Sequence, residues 1–284
     1  MKAENPQTPK KKAVKKAAKA KDIIVKPESE TTPKVVKKAA TKSTSVKDIV
    51  TISFQVTYAT RFGQNIFLSG NHPVLGNGNE ENALKLAYTN HEHWGTEVKL
   101  NKADIPKSGL KYFYLVENED GSVDKSAPYH LHIDELTKQV YISDAWNYPG
   151  FIQNIFSTKV FKVLSDKIAS SDIKASTKKG SHKFKISAPE MPAHNAIFLL
   201  GSGKDFGDWD TANITILSPD KETGSWTTYI DATDSNVFVE YKYGVYDLDK
   251  KLLIAFEDGP NRTLVLGDKK AIQHIINDGF LHTN

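Results

Sequence analysis

From Val50 the chain alternates apolar and polar side chains: Val50, Ile52, Phe54, Val56 and Tyr58 are separated by Thr51, Ser53, Gln55 and Thr57. A period of two puts each set on its own face of an extended chain, the pattern of a half-buried strand. More short runs rich in β-branched and aromatic residues follow at similar spacing: "NIFLSG" from Asn65, "HWGTEVKL" from His93, "KYFYLVE" from Lys111 and "QVYIS" from Gln139. Asp120-Gly121, between "FYLVEN" and "SV", predicts a type I′ hairpin turn, whose two central residues both need positive φ. No long stretch has helical periodicity, so the predicted fold class is all-β, a sandwich of short strands.

The same series then repeats. "NIFLSGNHPVLGNGNEENALKL" (Asn65 to Leu86) aligns with "AIFLLGSGKDFGDWDTANITIL" (Ala196 to Leu217). Ile66, Phe67, Leu68, Gly70, Gly76 and Leu86 match Ile197, Phe198, Leu199, Gly201, Gly207 and Leu217 at a constant offset of 131. Trp94 pairs with Trp226, Tyr112 with Tyr241 and Pro128 with Pro260 as loops change length. Two copies of one domain of about 90 residues are expected, within the usual size range. The predicted boundaries are 49–136 and 181–268. Residues 137–180 are read as an aromatic bridge and flexible linker, and 269–284 as a C-terminal extension. In the bridge, Trp146, Phe151, Phe156 and Phe161 are expected to pack on one or both domains. The polar "SDKIASSDIKASTKKGS" after them reads as a flexible joint.

Charge changes the picture only at the start. Residues 1–48 hold fourteen Lys against five acids and no aromatic residue, a net +9, which leaves residues 49–284 at −5 within a chain of +4. Low hydropathy and high charge predict a disordered basic tail. It serves either as a solubilising leader or as a polyanion-binding arm whose affinity would fall with salt. The absence of cysteine excludes disulfides, thiolate catalysis and sulfur-ligated zinc. There is no apolar core of a secretory signal and no run of about 18 apolar residues to span a bilayer, so a cytoplasmic protein without membrane contact is expected.

The order "NIFLSG…LG…KYFY/EYKY…DG…PNR" resembles the starch-binding domain, carbohydrate-binding module family 20, over both copies. "FGDWD", "VEYKYG" and "FEDGPNR" in the second copy carry the resemblance most specifically. The tandem arrangement, the "AWNYPGF" bridge and the terminal "INDGF" are similar to the N-terminal region of 4-α-glucanotransferases that carry two such modules. In those enzymes a large catalytic barrel comes next, which this sequence lacks. The resemblance implies two immunoglobulin-like open β-sandwiches that bind an α-1,4-glucan, as polysaccharide or maltooligosaccharide, with no cofactor. Carried over residue by residue, a first glucan site falls in the second copy on Trp209, Lys242, Phe256 and Asn261, with Phe256 where the family has Trp. The first copy has Gly78, Phe113, Lys125 and Tyr129 at those positions, so its equivalent site should be dead. A second site falls in the first copy on Phe62 and Tyr88, while "APEMPAHNA" in the second copy lacks the aromatics.

The chemistry suits that assignment. A glucose ring has a face of C–H groups and an edge of hydroxyls, so it asks for an exposed aromatic plane with polar groups at the rim. Aromatic rings supply rigid area at low entropic cost, and Lys and Asn match hydroxyls that both donate and accept. Trp209, flanked by "GD" and "DT" without strand alternation, reads as exposed, whereas Trp94 and Trp226 read as core. Phe62, Tyr88 and Phe256 fit either a core or a contact surface. No carboxylate pair forms a glycosidase motif, and no G-x-S-x-G, P-loop or dinucleotide-binding glycine pattern is present. His91/His93 and His130/His132 have metal-ligand spacing but no clear carboxylate partner, and solvated strand histidines are the simpler reading. Two functions therefore stand: non-catalytic glucan binding, or an interaction protein whose basic tail holds a nucleic acid or another polyanion.

Overall fold

The computed structural model describes residues 48–149, 181–188, 191–192, 194–220, 225–232, 238–266 and 272–283. The basic segment up to residue 47, Phe151, Phe156, Phe161 and the Ser/Lys-rich joint lie outside the described residues. The fold is all-β, as the periodicity predicts.

The first copy contributes β1 (Ile49–Thr57), β2 (Asn65–Gly70), β3 (Leu84–Lys85), β4 (Ala87–Asn90), β5 (His93–Asn101), β6 (Leu110–Glu117), β7 (Val123–Lys125), β8 (Tyr129–Leu131) and β9 (Gln139–Ala145). The second repeats the set strand for strand: β10 (His182–Ser187), β11 (Asn195–Gly201), β12 (Thr215–Ile216), β13 (Ser218–Asp220), β14 (Ser225–Ile230), β15 (Phe238–Asp247), β16 (Leu252–Phe256), β17 (Arg262–Val265) and β18 (Ile272–Phe280). Each copy has one small sheet, β3-β2-β6-β7 with β8 on β6 in the first and β12-β11-β15-β16 with β17 on β15 in the second. Each packs that sheet on four strands of a larger one. The alternating residues of β1 face the way the pattern requires: Val50, Ile52, Phe54 and Val56 are buried.

Two expectations need correcting. Asp120-Gly121 does not make a type I′ turn, because of the pair only Gly121 has positive φ. Gly121 N–H donates to the Asn118 carbonyl at 3.0 Å and Asn118 N–H to that of Ser122 at 2.8 Å. This is the three-residue loop in which a type I turn ends in a left-handed glycine. The boundaries at 136 and 268 also stop one strand short. β9, from the expected bridge, pairs in parallel with β1, and β18, from the expected extension, pairs in parallel with β10. Trp146, just after β9, packs on Tyr58 with ring centroids 4.8 Å apart.

β9 and β18 also pair with each other in parallel, from Ile272↔Gln139 to Asn277↔Asp144. The two larger sheets are therefore one eight-stranded sheet, β13-β14-β10-β18-β9-β1-β5-β4. Register fixes the faces. Ile52, Val140 and Ile142 belong to the first core, and Ile275, opposite Ile142, packs against that core from the neighbouring strand. Its successor Ile276 joins Phe184 in the second core. Side chains alternate between faces, so the two cores lie on opposite sides of the shared sheet. Tyr141, His274 and His182 are register partners on one face, and their rings stack at 5.1 and 4.2 Å across the seam.

Inside each sandwich a carboxylate, fully buried at Asp144 and largely enclosed at Asp278, ties the last strand to the small sheet. Tyr112 and Tyr114 donate to Asp144 Oδ2 at 2.9 and 2.8 Å. Tyr241 and Tyr243 donate to Asp278 Oδ2 at 3.1 and 2.7 Å. Asp144 Oδ1 accepts from Asn277 Nδ2 across the seam. Burial pushes Asp144 up to about 6, against the hydrogen bonds from Asn277 and the tyrosines, and pushes Asp278 up as well, against Arg262.

A group whose folded pKa is raised makes the folded state bind the extra proton, so stability falls as pH rises between the unfolded and folded values. For Asp144 that window runs from about 4 to about 6, and the loss is on the order of 3 kcal/mol. Urea unfolding followed from pH 4 to pH 7 is expected to show declining stability that levels off above pH 6.5. Asp144→Asn should remove most of the decline and leave the share due to Asp278.

Candidate functional site

β11 is apolar on both faces. Ile197 and Leu199 enter the core, while Phe198 and Leu200 project from the opposite side and are nonetheless fully buried. What covers them is the site. Phe256, at the end of β16, sets its ring edge-on to that of Phe198 with centroids 5.3 Å apart. The approach requires glycine at 244 on β15, since a Cβ there would lie 2.4 Å from the Phe198 ring. The loop after β11 roofs Leu200, and Gly207 is again the residue that permits it. A Cβ at Gly207 would lie 2.8 Å from Leu200 Cδ1 and 2.6 Å from the Asn213 carbonyl oxygen.

This loop holds three successive left-handed residues: Gly207, Asp208 and Trp209 at φ 89, 52 and 57. A tryptophan in that conformation costs about 1–2 kcal/mol. It persists because the backbone around it is pinned. Asp208 N–H donates to the Gly203 carbonyl at 3.1 Å, Trp209 N–H to that of Gly201 at 2.9 Å, and Asp210 N–H to that of Gly207 at 2.9 Å. Asp210 then caps the next turn by accepting from Ala212 N–H at 2.9 Å. Trp209 remains 37% exposed, and Phe256 38% exposed.

The polar residues stand on the same outer face. Leu200 pairs with Lys242, one register step from Gly201, whose carbonyl holds Trp209. Asn261 precedes Arg262, the partner of Tyr241, and so comes beside Lys242. Lys242 Nζ donates to the carbonyls of Glu257 at 3.1 Å and Gly259 at 2.7 Å, leaving one of its three N–H groups for a ligand. Asn261 Nδ2 donates to Glu240 Oε2 at 3.3 Å, which leaves acceptor capacity at its own oxygen. Lys242, Phe256 and Asn261 thus share the outer face of the small sheet, and the backbone of Trp209 is pinned to Gly201 at the end of β11.

Sequence reasoning missed what supports them. Arg262 donates to Glu257 through Nε at 3.0 Å and a second nitrogen at 2.8 Å, and to the Asp278 carbonyl at 2.7 Å. Glu257 Oε1 accepts from Tyr243 N–H at 2.9 Å. This pair, with Glu257 buried and Arg262 partly so, fixes the loop that carries Phe256 and the carbonyls on which Lys242 rests. The carboxylates hold the guanidinium pKa well above its ordinary value although burial opposes them. The signals were the glycine within "YKYGVY", where a strand interior admits close approach, and the Glu and Arg of "FEDGPNR".

The first copy keeps the turn and loses the surface. Gly76, Asn77 and Gly78 are left-handed at φ 75, 53 and 80, so glycine stands where the second copy has Trp209. Lys125 occupies the place of Phe256 and Phe113 that of Lys242. The ammonium sits 3.9 Å from the Phe113 ring centroid and 2.8 Å from Glu80. Tyr129 departs from the expected alignment. It pairs with Tyr112 as Arg262 pairs with Tyr241, so it matches Arg262 and not Asn261. Its ring stacks on Tyr112 at 5.4 Å and its hydroxyl donates to the Ala145 carbonyl at 2.7 Å.

Of the second pair, Phe62 is 98% exposed on the turn between β1 and β2, and Tyr88 is 58% exposed on edge strand β4. Tyr88 lies edge-on to the buried Trp94, whose indole N–H donates to Thr60 Oγ1 at 3.2 Å, two residues from Phe62. Both aromatics therefore belong to the surface at one end of the first sandwich. In the second, Pro219 pairs with Trp226 as Tyr88 does with Trp94. Trp226 is half-buried against the second core. The first histidine pair has ordinary neighbours, His91 beside Glu92 at 3.4 Å and His93 on Asn90 Oδ1 at 2.9 Å. Among the described residues no group of three or more His, Cys, Asp or Glu is placed to hold a metal ion.

Comparison with known proteins gives a family match to the starch binding domain over residues 49–130 and 181–275. The 4-alpha-glucanotransferase DPE2 of Oryza sativa subsp. japonica is 24% identical over 231 residues, 75% of this chain and 24% of that protein. The chain thus spans about a quarter of the length of that curated relative. Among solved structures, the glucoamylase of Hypocrea jecorina is 28% identical over 35% of this chain and 17% of its own, at a TM-score of 0.30. The family 20 carbohydrate-binding module of the maltotetraose-forming amylase of Pseudomonas saccharophila is 18% identical over 33% of this chain and 96% of its own, at a TM-score of 0.28.

The loop geometry predicts unequal responses in the two copies. Gly207→Ala adds a Cβ in a left-handed position and against the Asn213 carbonyl, and should lower stability by more than about 1 kcal/mol while shifting the Trp209 fluorescence. Gly78→Ala meets no atom within 4 Å and should cost about 1 kcal/mol from conformation alone. Urea midpoints of the two variants test the ordering.

Proposed function

The chain belongs to the starch-binding domain family, and from that membership we propose that it binds α-1,4-glucan without acting on it, holding starch, glycogen or maltodextrin for transfer chemistry carried out by a separate catalytic domain of the 4-alpha-glucanotransferase kind. The observation that carries the reading is Trp209. The sister loop makes the same turn with Gly78, so the fold does not require tryptophan there. A strained, exposed tryptophan at the end of the strand whose outer face Phe256 covers has its use outside the protein, and strained residues concentrate at ligand sites. Trp209 and Phe256 act as the two platforms for the apolar faces of sugar rings, and Lys242 and Asn261 bond the hydroxyls at the rim. Phe62 and Tyr88 supply a second, smaller contact on the first sandwich.

Stacking on one aromatic ring contributes about 1–3 kcal/mol, by analogy with nucleic-acid bases. Trp209→Ala is therefore expected to weaken retention in glycogen affinity electrophoresis by roughly 10–100-fold. Phe256→Ala should weaken it less, and Phe256→Trp should tighten it. The Phe62→Ala, Tyr88→Ala double variant should lose a few-fold on polymer and nothing on maltotriose. Run at high salt, the assay also separates the rival reading. Binding to a neutral glucan persists, whereas retention through the Lys-rich segment on an anionic polymer falls steeply as salt rises. Native affinity in Trp209→Ala would refute the assignment.

A further inference from the structure

The shared sheet creates a step. Because the two cores lie on opposite faces, the outer face of β9, β1 and β5 stays open on the side where the second sandwich rises from the sheet. β17, with the start of β15, forms the wall of that step. A cleft of about 1010 Å³ runs along it, at the upper end of the about 300–1,000 Å³ typical of ligand sites. Gln55, Thr57 and the exposed phenol of Tyr141 line the floor, and Asn261, Thr263 and Phe238 the wall. Phe238 is 59% exposed and pairs with the equally open Val265.

The lining combines hydroxyls, amides and two open aromatic rings with aliphatic side chains such as Leu264 and Val265 and the imidazoles of His93 and His274, and it contains no lysine. Its one arginine, Arg262, is taken up by Glu257 and Asp278, and Glu92 and Glu97 add negative charge. That chemistry suits a neutral polyol and repels a polyanion. The reverse face of the sheet is different. It presents Lys183 and Lys185 of β10, and Lys111 and Lys185 both act on His130, whose pKa is lowered first by burial and then by those ammonium groups.

The ends of the cleft matter most. At one end is Asn261, a member of the Trp209 platform. From Lys242 to Phe238 along β15 is four residues, about 13 Å of strand, and Asn261, Thr263 and Val265 follow the same line on β17. At the other end the cleft reaches Thr89 and Asn90 of β4, next to Tyr88. Tyr88 itself points to the other face, against Trp94, so a chain following this path rounds the sheet edge there. The floor from β9 to β4 spans three strand spacings, on the order of 14 Å.

We infer that the cleft binds the middle of a single α-glucan chain and carries it from the Trp209–Phe256 platform on the second sandwich to the Phe62–Tyr88 contact on the first. The inference rests on the glucan reading given above and adds a third subsite, with Tyr141, Phe238 and Gln55 as its recognition residues. One linear polymer then engages both sandwiches at once, and short oligosaccharides occupy the platform alone.

The full chain is tested by calorimetry against maltotriose and against a linear amylose fraction, in Phe238→Ala and in Gln55→Trp, which fills the floor from an exposed position. Circular dichroism and the urea midpoint check that each variant is folded. Amylose affinity is expected to fall about 5-fold or more in both, with maltotriose unchanged. Native amylose affinity in two folded variants would overturn the cleft. Trp209→Ala separates the two readings. If it binds maltotriose normally while the cleft variants still lose amylose, the platform assignment fails and the cleft stands.

Discussion

The two sandwiches and their union depend on two carboxylates, the buried Asp144 and the mostly enclosed Asp278, each held by two tyrosine hydroxyls from the facing sheet. A buried carboxyl group without partners is costly, and its pKa moves to reduce that cost. Here the tyrosines and Asn277 supply the partners, and the arrangement positions β9 and β18. These strands close their own sandwiches by parallel pairing and then pair with each other. The same hydrogen bonds that complete each module thus lead directly to the seam that joins them. Because the pleat alternates, joining the strands side by side turns the two cores to opposite faces, and from that follow the open floor of β9, β1 and β5 and the wall that β17 makes beside it.

The two copies show how one scaffold is spent differently. Both keep the left-handed turn, the glycine under it and the tyrosine pair above the carboxylate. Where the second places Trp209 and Phe256, the first has Gly78 and a lysine seated on Phe113. Where the first exposes Tyr88 opposite Trp94, the second has Pro219 opposite Trp226. The losses are complementary. A turn that tolerates glycine tolerates a bulky residue only with strain, so the second copy carries a conformational cost at Trp209 that the first avoids with Gly78.

Much of this was legible in the residues. The period of two located β1 and most strands after it, and the constant offset of 131 exposed the repeat because close packing demands the same glycines in both copies. The exposure of Trp209 was readable from its flanking Gly and Asp residues. What escaped was non-local. β9 and β18 pair with strands that begin some 90 residues earlier, and nothing in "QVYIS" or "HIINDGF" names a partner. Tyr129 was misaligned because one residue of loop length shifts a register. Asp-Gly serves two hairpin types, and only the φ of the aspartate distinguishes them. The Glu257–Arg262 pair sits in a motif that was read for Phe256 and Asn261 alone, since a sequence does not say which of its charges are turned inward.

The shared sheet bears on how weak sites add up. With a flexible joint, a second site meets its ligand at an effective concentration set by the joint's length, and the gain falls as that length grows. Strand pairing between β9 and β18 takes the joint out of that relation, because the spacing of the two surfaces is set by hydrogen-bonded register whatever the connecting segment does. The gain is then all or nothing. A polymer whose curvature follows the step meets both surfaces without any further ordering of the protein, while one of the wrong curvature meets only one. Selectivity among neutral polysaccharides would arise from the geometry of the seam as much as from the rings, and substitutions at Asn277 or Tyr141, which touch neither platform, would change it.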